Sequence, residues 1–391
     1  MRILHVVPTY IPAYRYGGPI YSVHGLCKAL AKLGHDVSVF TTNVDGDKDS
    51  DVPLGQPVDM DGVKVWYFPS KHLRRLYWSP PMKKTLEQQI PDFDILHLHS
   101  IFLWPTWAAA RSARRMGNPY IIAPRGMLVK ELIERKSRFT KKLWISLIER
   151  RNLERAAAIH VTTGNEMKEI EKFGFALPPV FIVPNGVDVE ELRRQPRRVA
   201  PLIESIIRKP YLLFMGRINW KKGLDRLIPA LTYVPDIPLV IAGNDEENYR
   251  PTLEALAASH GVSNRITFTG AVYGDDKAAL LQNAFLLVLP SYSENFGNVV
   301  LEAMAVGCPV AVTPEVGVAD LVQTSGAGFV VNGTPEILGK GLQHMASDPQ
   351  ELKKMGDKGR RAVEEHFTWS SVGMQSVEMY EDTIARVSGN H

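Results

Sequence analysis

Two successive runs of short apolar segments alternating with helical patterns limit this chain more than any other feature. The first run places strand-like segments at Arg2–Val7, Asp36–Thr41, Lys64–Phe68, Ile95–His99, Tyr120–Ala123, Ile159–Thr162 and Val180–Val183. Helical patterns lie between several of them, such as Ile20–Leu33 ending at Gly34. The second run repeats the rhythm at Tyr211–Met215, Leu239–Ala242, Ile266–Thr269, Phe285–Leu289, Val310–Thr313 and Gly328–Val330. Such alternation implies parallel sheets with helices on both faces. Between the runs, Pro184-Asn185-Gly186-Val187-Asp188 is turn chemistry, followed by a polar, basic stretch through Arg198 and a short helical run to Pro210. A chain of 391 residues is too long for one ordinary core and suits two domains of about 150–200 residues each. The expected division is α/β domains over residues 1–190 and 191–366, then an amphipathic terminal helix over 367–391 with Val372, Val377, Met379 and Tyr380 available to bury.

Composition excludes several classes. Apolar residues make up 45% and charged residues 23%, as in an ordinary soluble globular protein. A net charge of +4 does not call for nucleic acid, and neither a zinc finger nor an RNA-binding aromatic signature is present. Two distant cysteines, Cys27 and Cys308, imply no disulfide framework, which suits a reducing cytosol. The apolar run Ile3–Val7 meets Pro8; it is too short for a signal-peptide core and reads as a strand. No apolar stretch of about 18 residues is present. The expectation is a cytoplasmic protein whose membrane contact, if any, is peripheral, at the inner face of the cell membrane.

The segment richest in chemistry runs from Ser293 to Met304. Glu294 and Glu302 stand eight positions apart, which on one helix would be about 12 Å along the axis. With Glu294 in the loop and Glu302 in the helix, both can converge on the helix N-terminus. That terminus offers N–H groups and partial positive charge, a seat for phosphate. Acceptor side chains beside a phosphate seat suit a sugar nucleotide; the bland alternative is a βα unit with two surface acids. Gly216-Arg217-Ile218-Asn219-Trp220-Lys221-Lys222-Gly223 begins where the strand Tyr211–Met215 ends, and ligands of open parallel sheets bind beyond strand C-termini. Arg217 can grip phosphate oxygens bidentately and Lys222 supplies a point charge, although two solvated cations would read the same in isolation.

The Glu-(seven residues)-Glu spacing, with Glu-Ala-Met after it and Gly307-Cys308-Pro309-Val310 closing it, resembles the signature of retaining GT-B glycosyltransferases, family 4-like, group 1. The resemblance runs along nearly the whole chain, strongest from Tyr211 to Val312 and weakest from Asp45 to Leu86. It implies two Rossmann-like domains facing across a cleft that holds the active site, with the last helix crossing back to the first domain. It gives Arg217 and Lys222 the donor diphosphate, Glu294 the donor sugar and Glu302 the ribose. Backbone N–H groups of Phe296, Gly297, Asn298 and Val299 would reach sugar and phosphate oxygens, Gly297 allowing close approach. The base would sit near Gly243, Val272 and Tyr273. The implied reaction is metal-independent transfer of a hexosyl unit from a UDP- or GDP-sugar to a hydroxyl of a glycan or lipid-linked acceptor, with retained configuration and no other cofactor, in bacterial surface polysaccharide assembly.

In the first half, Gly17-Gly18-Pro19 precedes a helix and resembles the family's glycine loop near the donor phosphate and acceptor, which makes Gly17 and Gly18 donor-binding by resemblance; a structural turn fits as well. It is not a dinucleotide fingerprint. His97 and His99 alternate along a strand and so share a face. His99 matches the family histidine that contacts donor sugar or acceptor, His97 reads as structural, and no third zinc ligand is evident nearby. Arg125, after the strand Tyr120–Ala123, is an acceptor-side or phosphate contact by resemblance. Asp45-Gly46-Asp47 reads as a solvated acidic loop. Between Lys130 and Arg155 nine cations face four acids, with Leu143, Trp144 and Leu147 interleaved, and a second basic-aromatic cluster spans Lys71–Trp78. These suit an anionic membrane and a lipid-linked acceptor or a solvated helix face equally. The rival functions are a GT-B sugar-nucleotide epimerase or phosphorylase, and a non-catalytic sugar-nucleotide-binding protein.

Overall fold

The computed structural model describes residues 1–131, 133, 143–234 and 237–389. They form two compact units, Met1–Gly186 joined by the chain from Trp369 onward, and Val187–Thr368.

The first unit is built on β1 (Arg2–Val6), β2 (Asp36–Thr42), β3 (Pro57–Met60), β4 (Val63–Phe68), β5 (Ile95–His99), β6 (Tyr120–Ala123), β7 (Ala158–Val161) and β8 (Val180–Ile182). They lie in the order β8-β7-β6-β5-β1-β2-β4-β3. Every neighbouring pair is parallel except β3–β4. That antiparallel pair has a sequence signal the strand reading passed over. Asp61 (φ 57°) and Gly62 (φ 83°) form the two-residue loop between paired Met60 and Val63, as an Asp-Gly hairpin turn requires.

Alternate residues of the strands feed opposite faces. Leu4, Val6, Leu96, Leu98 and Ile159 join one apolar cluster; Ile3, Ile95, Ile121 and Ala158 join the other, with Met379 and Tyr380 of the helix Trp369–Ser388. Small residues let that helix dock. A Cβ on Gly25, in the helix Gly18–Lys32, would lie 2.2 Å from the Trp369 ring, and one on Gly186 2.6 Å from it. Gly373 faces Ala29 and Leu33 in the same contact.

The second unit has β9 (Leu212–Met215), β10 (Leu239–Ala242), β11 (Ile266–Gly270), β12 (Leu286–Leu289), β13 (Val310–Val312) and β14 (Gly328–Val330). Their order is β11-β10-β9-β12-β13-β14, all parallel, the doubly wound arrangement of a dinucleotide-type fold. Chain direction across the sheet reverses between β9 and β12, and in the first unit between β1 and β5. Crevices beyond the carboxyl ends of strands at such reversals are where ligands settle. Among the described residues no helix is long and apolar enough to cross a membrane.

Candidate functional site

In the second unit the reversal point is framed by the loops after β9 and β12, and glycines bring these loops together. Gly223 has φ 70°, and a Cβ there would lie 2.0 Å from the Pro290 carbonyl oxygen. The Tyr292 N–H donates to the Lys221 carbonyl at 2.7 Å. These ties bring the Lys222 ammonium onto the Glu294 carboxylate as an ion pair, with side chains only 14% and 20% exposed. Glu294 lies in the loop, as expected, and its backbone is pinned on both sides. Its N–H donates to the Glu315 carbonyl at 3.1 Å and its carbonyl accepts from the Gly317 N–H at 2.9 Å.

Gly297, with φ 98°, caps the helix Asn298–Ala305. Phe296 is buried in the core and its carbonyl accepts from the Val318 N–H at 3.0 Å. The backbone from Phe296 to Val299 is therefore held in place as the helix begins, where first-turn N–H groups lack intrahelical acceptors. Glu302 sits further along this helix and its Oε1 accepts from Lys277 Nζ at 2.7 Å. Arg217 is 54% exposed and its Nη1 stands 3.2 Å from Glu246 Oε2. The remaining predicted donor residues gather at the ends of the next two strands. The Gly243 N–H donates to the Gly270 carbonyl at 2.8 Å, Val272 packs against the core, and Tyr273 is 55% exposed. The sequence reading missed Glu246 and Lys277. Each follows a loop it had singled out, but nothing in the chain says which acid meets which base.

In the first unit, Gly17 (φ 68°) precedes the first residue of the helix Gly18–Lys32, and a Cβ on it would meet open space. The reversal between β1 and β5 carries a feature the sequence reading did not expect. His5, His97, His99 and His160 are all buried, on the sheet face shared with Tyr380. The absence of a third histidine near His97 and His99 is thereby corrected: His5 and His160 lie beside them, brought in by parallel pairing such as His5 opposite His97. The signal was the same strand parity, Ile3-x-His5, Ile95-x-His97-x-His99 and Ala158-x-His160.

Hydrogen bonding fixes the tautomers. His160 Nε2 lies 2.8 Å from the Val183 carbonyl, which can only accept, so that nitrogen carries the proton. His160 Nδ1 then accepts from His97 Nε2 at 3.0 Å, and His97 Nδ1 accepts from the Tyr380 hydroxyl at 2.8 Å. Arg125, which can only donate, reaches His99 Nδ1 with Nη2 at 3.2 Å. His99 Nε2 then donates to His5 Nδ1 at 2.9 Å. The His5 proton is left on Nε2, which is buried and has no partner among the described residues. Burial holds His5 and His160 neutral, with pKa values lowered to about 3. Burial likewise pulls His97 and His99 well below the usual imidazole value, with neighbouring histidines and Arg125 adding to it. His5, His97 and His99 converge closely enough to hold a cation, but only by giving up these bonds beside a guanidinium.

His99, expected to contact donor sugar or acceptor, bonds His5 through Nε2 and accepts from Arg125 at Nδ1. Arg125 adopts φ 55°, a strained conformation for a residue with a side chain, and its Nη1 donates to Asn185 Oδ1 at 2.9 Å. The next N–H, that of Gly126, donates to Glu166 Oε1 at 2.6 Å.

The acidic loop is solvated, with Asp47, Asp49 and Asp51 exposed. Val44–Asp45 and Lys48–Asp49 pair as a short hairpin, Arg15 faces Asp45, and Arg74 of the second basic cluster pairs with Asp49. Of the basic run, Arg135, Lys136, Arg138, Lys141 and Lys142 lie outside the described residues; Arg150 pairs with Glu154 at 2.9 Å, and Leu143 and Leu147 are exposed.

Known proteins share this architecture. The model of glycosyl transferases group 1 matches residues 204–362, and that of a glycosyl transferase 4-like domain matches residues 17–186. An uncharacterized glycosyltransferase of Methanocaldococcus jannaschii is 26% identical over 401 residues, 97% of this chain and 98% of its own. Sucrose-phosphate synthase from Thermosynechococcus elongatus superposes with a TM-score of 0.78 at 20% identity, over 99% of this chain and 100% of its own. Anabaena HepE, solved in complex with UDP-glucose, gives 0.76 at 18% identity, over 98% of this chain and 100% of its own. At these identities the two structures speak to the fold, which is GT-B.

Proposed function

The chain belongs to the group 1 glycosyl transferases of GT-B fold, and from that premise we propose that it moves a hexosyl unit from a UDP- or GDP-sugar to a hydroxyl of a glycan or lipid-linked acceptor, with retained anomeric configuration. The observation that carries this reading is the Lys222–Glu294 pair set between tied loops at the reversal of the second sheet. A lysine ammonium has three donors; one serves Glu294 and the others are available to the diphosphate. HepE, a structural neighbour, binds UDP-glucose, which fits a nucleotide sugar at this place.

In the proposed reaction the bond from the sugar C1 to the diphosphate oxygen breaks while a bond from C1 to the acceptor oxygen forms on the same face. The acceptor proton passes to the leaving phosphate oxygen. Charge grows on that oxygen as the bond breaks, and cations fixed beforehand stabilise it most. Arg217 and Lys222 take this role without a metal ion, Glu294 orients the sugar hydroxyls, and Glu302 takes the ribose. The backbone of Phe296, Gly297, Asn298 and Val299 supplies N–H groups to sugar and phosphate oxygens, and Gly243, Val272 and Tyr273 border the base. Gly17 and Gly18, read as donor-binding, leave backbone open to a ligand. On the acceptor side, Arg125 donates to the neutral acceptors His99 and Asn185, with the Glu166 carboxylate nearby, and is the contact for an anionic group. Work at the inner face of the membrane, in surface polysaccharide assembly, fits the exposed Leu143 and Leu147 beside Arg150.

The test is a thermal-stabilisation screen of the purified protein with each common UDP- and GDP-sugar in the presence of EDTA. One nucleotide family is expected to raise the melting temperature by several degrees. No shift with any of them contradicts the donor-site assignment.

A further inference from the structure

Glu302 does not stand alone. Lys277 lies in the helix Gly274–Asn283, which follows directly on the loop Gly270–Tyr273, and its Nζ sits 2.7 Å from Glu302 Oε1. Both side chains are largely covered, 29% and 20% exposed. An unpaired glutamate on a helix samples several rotamers and presents either oxygen. With Oε1 engaged by the ammonium, the carboxylate is fixed in one orientation and Oε2 is the oxygen left to accept from a ligand. The ammonium also offsets a negative charge that would otherwise stand near an incoming diphosphate. Glu294 has the same arrangement with Lys222, so each carboxylate of the spaced pair has its own lysine from a different loop or helix.

We propose that Lys277 is the positioning residue of the ribose subsite: it holds Glu302 so that one carboxylate oxygen reads a ribose hydroxyl, and it thereby sets the preference for ribo- over deoxyribonucleotide donors. The inference rests on the ribose role given to Glu302 above. Lys277 touches neither the reacting atoms nor, on this account, the nucleotide. Its removal changes nucleotide recognition while the diphosphate contacts of Arg217 and Lys222 remain. A hydrogen bond to a charged group contributes roughly tenfold or more to affinity, and it is lost when the carboxylate is free to turn away.

The experiment is calorimetric titration of the full-length protein with UDP and GDP and with their 2′-deoxy and 3′-deoxy forms. Wild type, Lys277→Met and Lys277→Arg are compared, with thermal melts as the folding control. Wild type is expected to bind the ribonucleotide about tenfold more tightly than one of the deoxy forms. In Lys277→Met that gap falls to less than about threefold, through weaker ribonucleotide binding, and Lys277→Arg restores it. A gap that persists unchanged in a folded Lys277→Met protein overturns the role of Lys277 and leaves that of Glu302 standing. Wild type binding ribo and deoxy forms equally overturns the ribose role of Glu302 and this inference with it. A lysine that served only the fold would lower the melting temperature without moving the ratio.

Discussion

Replacing Lys222 by alanine is expected to lower turnover at saturating donor by about 100- to 1,000-fold. Gly223 lets the Lys222 loop pass so near Pro290 that a Cβ there would lie 2.0 Å from the Pro290 carbonyl oxygen, and this closeness holds the ammonium at the Glu294 carboxylate. A cation already in place and largely covered by protein gains interaction as charge gathers on the leaving diphosphate. Its effect therefore falls on the transition state more than on donor binding, and on turnover more than on KM. Alanine removes the cation and leaves Glu294 without its partner, so the acid that orients the sugar also loses its fixed position. Arginine at the same site keeps the charge with a different shape and should lose less. Unchanged turnover in Lys222→Ala would falsify the role assigned to this residue.

The second large effect concerns acid. Four buried histidines are neutral in the folded first unit, whereas in the unfolded chain they titrate near 6.5. Between that value and the folded values the unfolded state binds more protons, so folding stability falls as pH falls. It is unaffected where all four are neutral in both states, above about pH 7. Each such histidine contributes about 1.4 kcal/mol per pH unit, so the four together approach roughly 5 kcal/mol per unit once pH is well below 6. Whole domains are stable by only about 5–15 kcal/mol, and the first unit is therefore expected to unfold between about pH 5.5 and 4. Carboxylates titrate near 4, and burial raises that of Glu149, so it is the fall above about pH 5 that reports chiefly the histidines. Urea midpoints measured from pH 8 to 4.5 should be level above pH 7 and fall steeply below 6. A midpoint that stays level down to pH 5 would mean that the four histidines are not neutral and buried as described.

Much of this molecule was legible in its residues, because its elements announce themselves locally. Strands such as Ile95–His99, Tyr120–Ala123, Leu239–Ala242 and Gly328–Val330 fall where apolar runs and turn residues placed them. The position of Glu294 in a loop and Glu302 in a helix followed from Gly297 and the apolar spacing after it. What escaped the sequence was pairing. Lys277 finds Glu302 and Glu246 finds Arg217 through loops whose geometry depends on sheet order, and sheet order is a long-range property. The histidine cluster escaped for the same reason: His5, His97 and His160 sit on three different strands, and the order β7-β6-β5-β1 and the register of β1 with β5 bring them together. The Asp61-Gly62 hairpin was local and could have been read; its strand Pro57–Met60 was passed over because a leading proline and an internal aspartate weaken the strand pattern.

Donor chemistry at the second sheet's reversal point can be observed directly. The most direct test is proton NMR of the full-length protein incubated, in EDTA, with whichever nucleotide sugar stabilises it, together with a hydroxyl acceptor or water alone. The expected result is release of the nucleoside diphosphate and a new hexosyl anomeric signal with the configuration of the donor. A product of inverted configuration, or a donor left intact whatever acceptor is offered, would contradict it.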